Sequence, residues 1–282
     1  MPSSASANVA AMDGPSTTPA PREPAINLPG VILACLALLV GLHLVRGFLS
    51  PETDVALLFD FALVPARWTV SQDPLALRAV MAEAGAGPEA ETRLALARYV
   101  LGEPDARPWT FLTYGLLHGS WTHVILNGLW LAAFGAPVAR RCGAARFGLV
   151  LALGVAAGGA THVALHSLSV SPLVGASAAV SALMAAASRF VFTPVPTFFG
   201  LEPRPVHERP RQSLRALASN RSAVLFLLVW FCSNLLFGLS AQPLGLSDAA
   251  IAWEAHLGGF VVGFFLFPLI DTGRAAGQGQ PA

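Results

Sequence analysis

The sequence predicts an all-α fold, a polytopic membrane helix bundle with six transmembrane helices. Three observations predict it. Of 282 residues, 54% are hydrophobic and 12% are charged, about half the ~25% charge of an ordinary soluble domain. So little charge cannot wet a surface of this size, so lipid must cover much of it; mean hydropathy is +0.60. Six apolar runs recur along the chain, each close to the ~20 residues that cross a bilayer. Arginines gather in alternate links between these runs. The net charge of +1 gives no reason to expect nucleic acid as a partner.

Residues 1–26 are rich in Ala, Ser and Pro without apolar periodicity and read as a disordered cytoplasmic tail. The first run, 28–49, lacks the basic flank and small-residue cleavage site of a signal peptide, so it reads as a span. It opens a membrane domain over 27–272. The first loop, about 50–108, is more polar but carries short amphipathic pieces at 55–63, after Asp73-Pro74, and near 89–101. Asp73 followed by Pro74 is a helix-start signal. The loop therefore reads as structured and lying on the membrane surface. Further runs fall at 121–139, 147–166, 173–192, 223–239 and 250–270, and a short cytoplasmic tail follows at 273–282. The run at 173–192 is rich in Gly and Ala, which permits close backbone packing where lipid supplies no hydrophobic drive.

Six spans put three arginine groups on one side: Arg140, Arg141 and Arg146; Arg189, Arg204, Arg209, Arg211, Arg215 and Arg221; and Arg274. Positive residues favour the cytoplasmic side, so both termini are expected inside, with the protein multi-pass in a cell inner or plasma membrane. Cys35, Cys142 and Cys232 are too few and too scattered for a disulfide framework or zinc cluster.

Polar residues fall at one common depth on three of these helices. His118 and His123 open the second, with Asn127 one turn on; Ser177 opens the fourth; His256 lies in the first turns of the sixth. Ionisable residues in membrane helices are expensive and mark function. Ser177 follows Gly175-Ala176, where Gly175 permits a tight turn and the helix start offers free N–H groups to an anion. A serine hydroxyl needs a base, and neutral His256 can serve as one near pH 7. His256, Gly259 and Gly263 share one helix face, as do Ser177, Ser181 and Ala185, so two smooth stripes can bring base and nucleophile together. His123 and Asn127 share a face and can both donate to a developing oxyanion.

With those residues in view, the sequence resembles the rhomboid family of intramembrane serine proteases. The matching pieces are His118-Gly-Ser-Trp-Thr-His123-Val-Ile-Leu-Asn127, Gly175-Ala176-Ser177 and Ala255-His256-Leu-Gly-Gly259-Phe-Val-Val-Gly263. The resemblance implies an endopeptidase that cuts transmembrane segments of other membrane proteins with a Ser177–His256 dyad and no third acid. It implies an oxyanion hole from His123, Asn127 and the Ser177 N–H, a structural His118 tying the first loop, water reaching the site from the outer face, and transmembrane substrates as partners besides the bilayer. Three positions depart from the family pattern. Ala178 replaces a Gly after the nucleophile, Ser181 replaces an aromatic that stacks on the base, and Trp109-Thr110 replaces Trp-Arg. With no aromatic at 181, Trp253 is expected to support the imidazole, or else Phe260.

The alternative is a catalytically inactive relative that binds membrane clients without cutting them. A haem or metal protein is a further class, since His162 and His166 share a helix face, but no carboxylate or Cys joins them at a suitable spacing. No metal and no cofactor are expected.

Overall fold

The computed structural model describes residues 27–87, 89–102, 105–195, 205–240 and 251–271. Regular structure among them is helical, apart from one antiparallel bridge between Leu63 and Leu173. The main helices are α1 Gly30–Arg46, α2 Pro51–Phe61, α3 Pro65–Gln72, α4 Leu77–Ala84, α5 Ala90–Leu101, α6 Trp121–Cys142, α7 Ala144–Leu165, α8 Ser177–Val191, α9 Arg221–Ser240 and α10 Trp253–Ile270. The expected tails at 1–26 and 273–282, with Arg204 and Arg274, lie outside the described residues.

Each of the six apolar runs is a helix. By length and composition, α6, α7, α10 and residues 221–238 of α9 can cross a membrane, while α1 and α8 are apolar but shorter. Helix α6 starts on Ser120, whose hydroxyl accepts from the His123 amide at 3.2 Å. It carries a π-helical turn at Leu131–Gly135, just before Pro137. Proline removes a backbone donor and crowds the preceding turn, and a π turn relieves both.

Helix α8 is the centre of the bundle. Every residue from Ala178 to Phe190 is buried, including Ser181, Ser188 and Arg189. Its interface with α7 and α10 is made of small residues. Gly154 and Gly158 of α7 lie against the Cβ atoms of Ala182 and Ala178, and Gly259 and Gly263 of α10 lie against the Ala178 and Ala182 backbone. A methyl group on either α10 glycine would overlap backbone, which cannot rotate away. Helix α9 stands outside this trio, with Leu225, Leu228, Val229 and Leu236 exposed. It meets α10 through Trp230 stacked on Phe260, ring centroids 4.1 Å apart.

With 15 residues, α8 is about 22 Å long at ~1.5 Å per residue, less than the ~30 Å hydrocarbon layer. Its last turn is tied down by Arg189, which donates to the carbonyls of Phe264 (2.9 Å) and Gln212 (3.1 Å). A helix of that length does not cross the layer by itself. The chain enters it through irregular backbone at 166–176, whose polar groups need protein partners wherever water is excluded. The first loop satisfies several of them. Ala66 N donates to Ser169 O (2.9 Å), the Thr69 hydroxyl to Ser167 O (2.8 Å), and Leu63 and Leu173 exchange both backbone bonds.

That loop is an ordered subdomain. Between the expected pieces, now α2, α4 and α5, it contains the additional helix α3. Buried Arg67 donates to the carbonyls of Phe59 and Val100, and burial holds its pKa below the usual guanidinium value. Arg107 pairs with Asp60 and Asp105, and the Trp109 indole donates to Asp60 O at 2.9 Å. These contacts anchor the loop without an arginine at Thr110. At the other end of the bundle, Arg141 makes a buried ion pair with Asp271 (2.9 Å), donates to the carbonyls of His207 and Arg209, and lies over the Phe190 ring.

Gly259→Val should lower the thermal midpoint in detergent by several degrees or abolish folded protein, since overpacking a filled interface costs about 1–3 kcal/mol or more. Gly148→Ala, where the added carbon meets open space, should leave the midpoint within a degree or two. Equal behaviour of the two variants would show that the small-residue contact does not limit stability.

Candidate active site

Ser177 is the first residue of α8 and is partly exposed. No side chain caps this helix start, so the first N–H groups have no helical carbonyl to bond. They point past Ser177 as a ready anion-binding end. The turn into the helix depends on Gly175, whose φ of +119° disfavours any side chain. A Cβ there would also stand 2.7 Å from the His123 ring. Gly175 thus lets the His123 imidazole come down beside the start of α8. The Gly175 amide donates to Tyr114 O at 3.0 Å, and the buried Tyr114 hydroxyl donates to Val155 O at 2.8 Å. Tyr114 was not anticipated from sequence, where it is one aromatic among many.

The close α8–α10 contact at Gly259 and Gly263 brings His256 to Ser177, with Nε2 2.7 Å from the hydroxyl. The other ring nitrogen, Nδ1, lies 2.6 Å from Oδ1 of Asn234 on α9. The Asn234 amide nitrogen donates to Trp253 O at 3.0 Å, so the oxygen is the atom facing the imidazole. An amide oxygen only accepts. Nδ1 must therefore carry the proton, and Nε2 is left with a lone pair toward the Ser177 hydroxyl. That is the tautomer a general base needs.

Asn234 was missed in the sequence reading, where it is a single polar residue inside an apolar run. Its signal was the cost of an amide in a membrane helix. The support expected from Trp253 or Phe260 is replaced by it. Trp253 packs on Gly238 and Phe260 on Trp230, both of α9, and among the described residues no aromatic ring stacks on His256. Ser181 is buried one turn below Ser177.

Asn127 is buried on the same face of α6 as His123, and its amide donates to His123 O at 3.1 Å, leaving one N–H over. His118 is 1% exposed and sits in the link before α6, its ring edge-on to His123 at 4.9 Å. It ties the first loop through its carbonyl, which accepts from Arg46 Nη1 at 2.9 Å, while Arg46 also pairs with Asp54. Neither His118 ring nitrogen finds a hydrogen-bond partner among the described residues. Burial, with His123 alongside, pushes its pKa down to about 4.

The expectation that no carboxylate joins His162 and His166 is corrected. Glu254, at the start of α10, comes within 2.6 Å of His162 Nδ1 and 3.2 Å of His166 Nε2. Linear spacing could not reveal this, because Glu254 lies 92 residues from His162.

The family model of the Rhomboid domain matches residues 105–270, more than half of the chain. The chain belongs to the rhomboid family. No curated protein matches it. The rhomboid match takes in Ser177, His256, Asn234, His123 and Asn127, and it reaches back only to the end of the first loop. The family holds intramembrane proteases and inactive homologues.

His118 predicts a pH effect on this rhomboid fold. A histidine neutral in the folded state and ordinary when unfolded (reference ~6.5) leaves stability intact above that value. Stability then falls as pH drops toward about 4. The thermal midpoint should decline over that window, and His118→Leu, which needs no partner, should make the decline shallower. An identical slope in the variant would remove His118 as its source.

Proposed function

We propose that this rhomboid chain is an intramembrane serine endopeptidase that cleaves transmembrane segments of other membrane proteins. The observation that carries the reading is the 2.7 Å contact between His256 Nε2 and the Ser177 hydroxyl, with the imidazole tautomer set by Asn234. In this mechanism Nε2 takes the hydroxyl proton as Ser177 Oγ attacks the scissile carbonyl. The oxyanion forms at the uncapped start of α8. It is met there by the Ser177 N–H, the His123 ring and the spare Asn127 N–H, each such donor being worth ~3 kcal/mol in the transition state. His256 then returns the proton to the leaving amine. A water molecule, deprotonated by the same nitrogen, hydrolyses the acyl-enzyme.

The short α8, which begins at Ser177 and cannot cross the layer alone, supports a substrate that enters the membrane layer. A helix must unwind to offer its carbonyl to α8, so segments with a weak helical top are the suitable class. The arginine-rich end around Arg141 and Arg189 is proposed to face the cytoplasm, with the site toward the opposite side. The membrane is proposed to be a cell inner or plasma membrane.

Ser177→Ala and His256→Ala should each lower cleavage of a transmembrane model substrate by ~10³-fold or more. The double variant should be no worse, as for groups acting as one unit. A fluorophosphonate probe should label the wild type and not Ser177→Ala. Turnover by that variant, or its full labelling, would remove Ser177 as the nucleophile, and a wild type that neither cleaves nor labels would return the chain to the inactive, client-binding class.

Asn234 is a positioning residue in this reading. Asn234→Leu should lower kcat about tenfold or more with KM little changed, because the acceptor that holds the proton on Nδ1 is gone. A Leu variant with wild-type kcat would leave His256 oriented by helix packing alone.

A further inference from the structure

A second polar cluster lies beside the catalytic candidates and takes no part in the proposed reaction. His162 and His166 sit four residues apart at the end of α7, on one face. Glu254 approaches them from the second position of α10. Its Oε1 is 2.6 Å from His162 Nδ1 and 3.2 Å from His166 Nε2, and the three candidate ligand atoms all lie within 4.8 Å of one another. The Glu254 side chain is 4% exposed and that of His162 13%, while His166 is 49% exposed. A carboxylate drawn this far from water needs compensation. Two imidazoles converging on a single oxygen supply it here.

We propose that His162, His166 and Glu254 form a binding site for a divalent cation of the zinc class, a structural staple between α7 and α10. Two imidazole nitrogens and one carboxylate oxygen suit such an ion, with water in a fourth position. Tetrahedral bonds of ~2.0–2.1 Å put ligand atoms roughly 3.3 Å apart. The present separations bracket that value, so small rotamer changes suffice. Half-exposed His166 gives the ion its entry. Binding replaces the His162–Glu254 hydrogen bond, and neutral His162 moves its proton from Nδ1 to Nε2, so charge and atoms balance without redox chemistry. Residues 254 and 256 project from nearly opposite sides of α10 at ~100° per residue. The ion therefore faces α7, while His256 faces Ser177. It fixes the helix end that carries the base and does not touch the reacting atoms. The site stands on its own geometry and does not depend on proteolytic activity.

The test uses the full-length protein in detergent after chelator treatment and dialysis. Titration with zinc chloride by calorimetry should give one site per chain and a rise of several degrees in thermal midpoint. Cobalt(II) should give the visible absorption bands of a four-coordinate nitrogen–oxygen site. His166→Ala, at a half-exposed position, should keep the fold and lose the midpoint rise with at least tenfold weaker binding. Glu254→Gln should lose it too. Absence of a zinc-dependent rise in the wild type overturns the proposal, as does a rise of the same size in His166→Ala. Loss of proteolysis in Ser177→Ala with the zinc response intact keeps the two readings separable.

Discussion

The structure depends on one constraint, the near contact of three helix backbones at α7, α8 and α10. Lipid does not drive apolar helices together, so their association rests on packing and hydrogen bonds. Here glycines 154, 158, 259 and 263 remove the side chains that would hold the backbones apart, and Ala178 and Ala182 fill the space left. Because His256 is one turn before Gly259, and Ser177 is next to Ala178, that contact fixes the distance between imidazole and hydroxyl. A Cβ at Gly259 would open the helix pair at the point where a 2.7 Å hydrogen bond must form. The fold and the site therefore share their most sensitive residues.

The second constraint is length. A 15-residue α8 is too short to cross a hydrocarbon layer by itself, and unsatisfied backbone is expensive in such a layer. The fold accepts irregular chain at 166–176 because the first loop supplies partners, through Ala66, Thr69 and Leu63. Buried Arg67 and the Arg107 pairs then keep the loop in shape. An uncapped helix start, exposed enough to reach, remains where an oxyanion could be held. The anchoring of the loop and the availability of those N–H groups are parts of one arrangement.

What was legible in the sequence followed from local rules. Long apolar runs gave the spans, and Gly175-Ala176-Ser177 with His256, Gly259 and Gly263 gave the turn and the two smooth faces. The residues that escaped notice act across helices. Asn234, Tyr114 and Glu254 each work through a partner on another element: His256, Gly175 and His162. Nothing in the spacing of one run encodes such a partner. Trp253 shares a helix face with His256, but helix α9, whose position no local pattern gives, draws that ring to Gly238 and offers Asn234 in its place.

An amide, not a carboxylate, at position 234 suits this environment. Helix α9 exposes much of its surface, including Phe231, Leu236 and Phe237 around Asn234. An ionised side chain there would face a desolvation penalty of several kcal/mol that one imidazole, neutral in the resting state, could not offset. The amide donates one hydrogen bond, to Trp253 O, and accepts one from His256 Nδ1. In the proposed reaction its oxygen would also stabilise the imidazolium formed as Ser177 attacks, as a fixed dipole that needs no reorganisation. The loss of an aromatic ring at Ser181 removes support from one side of the imidazole. Asn234 replaces it from the other with a directional bond that also selects the tautomer, which a stacked ring cannot do.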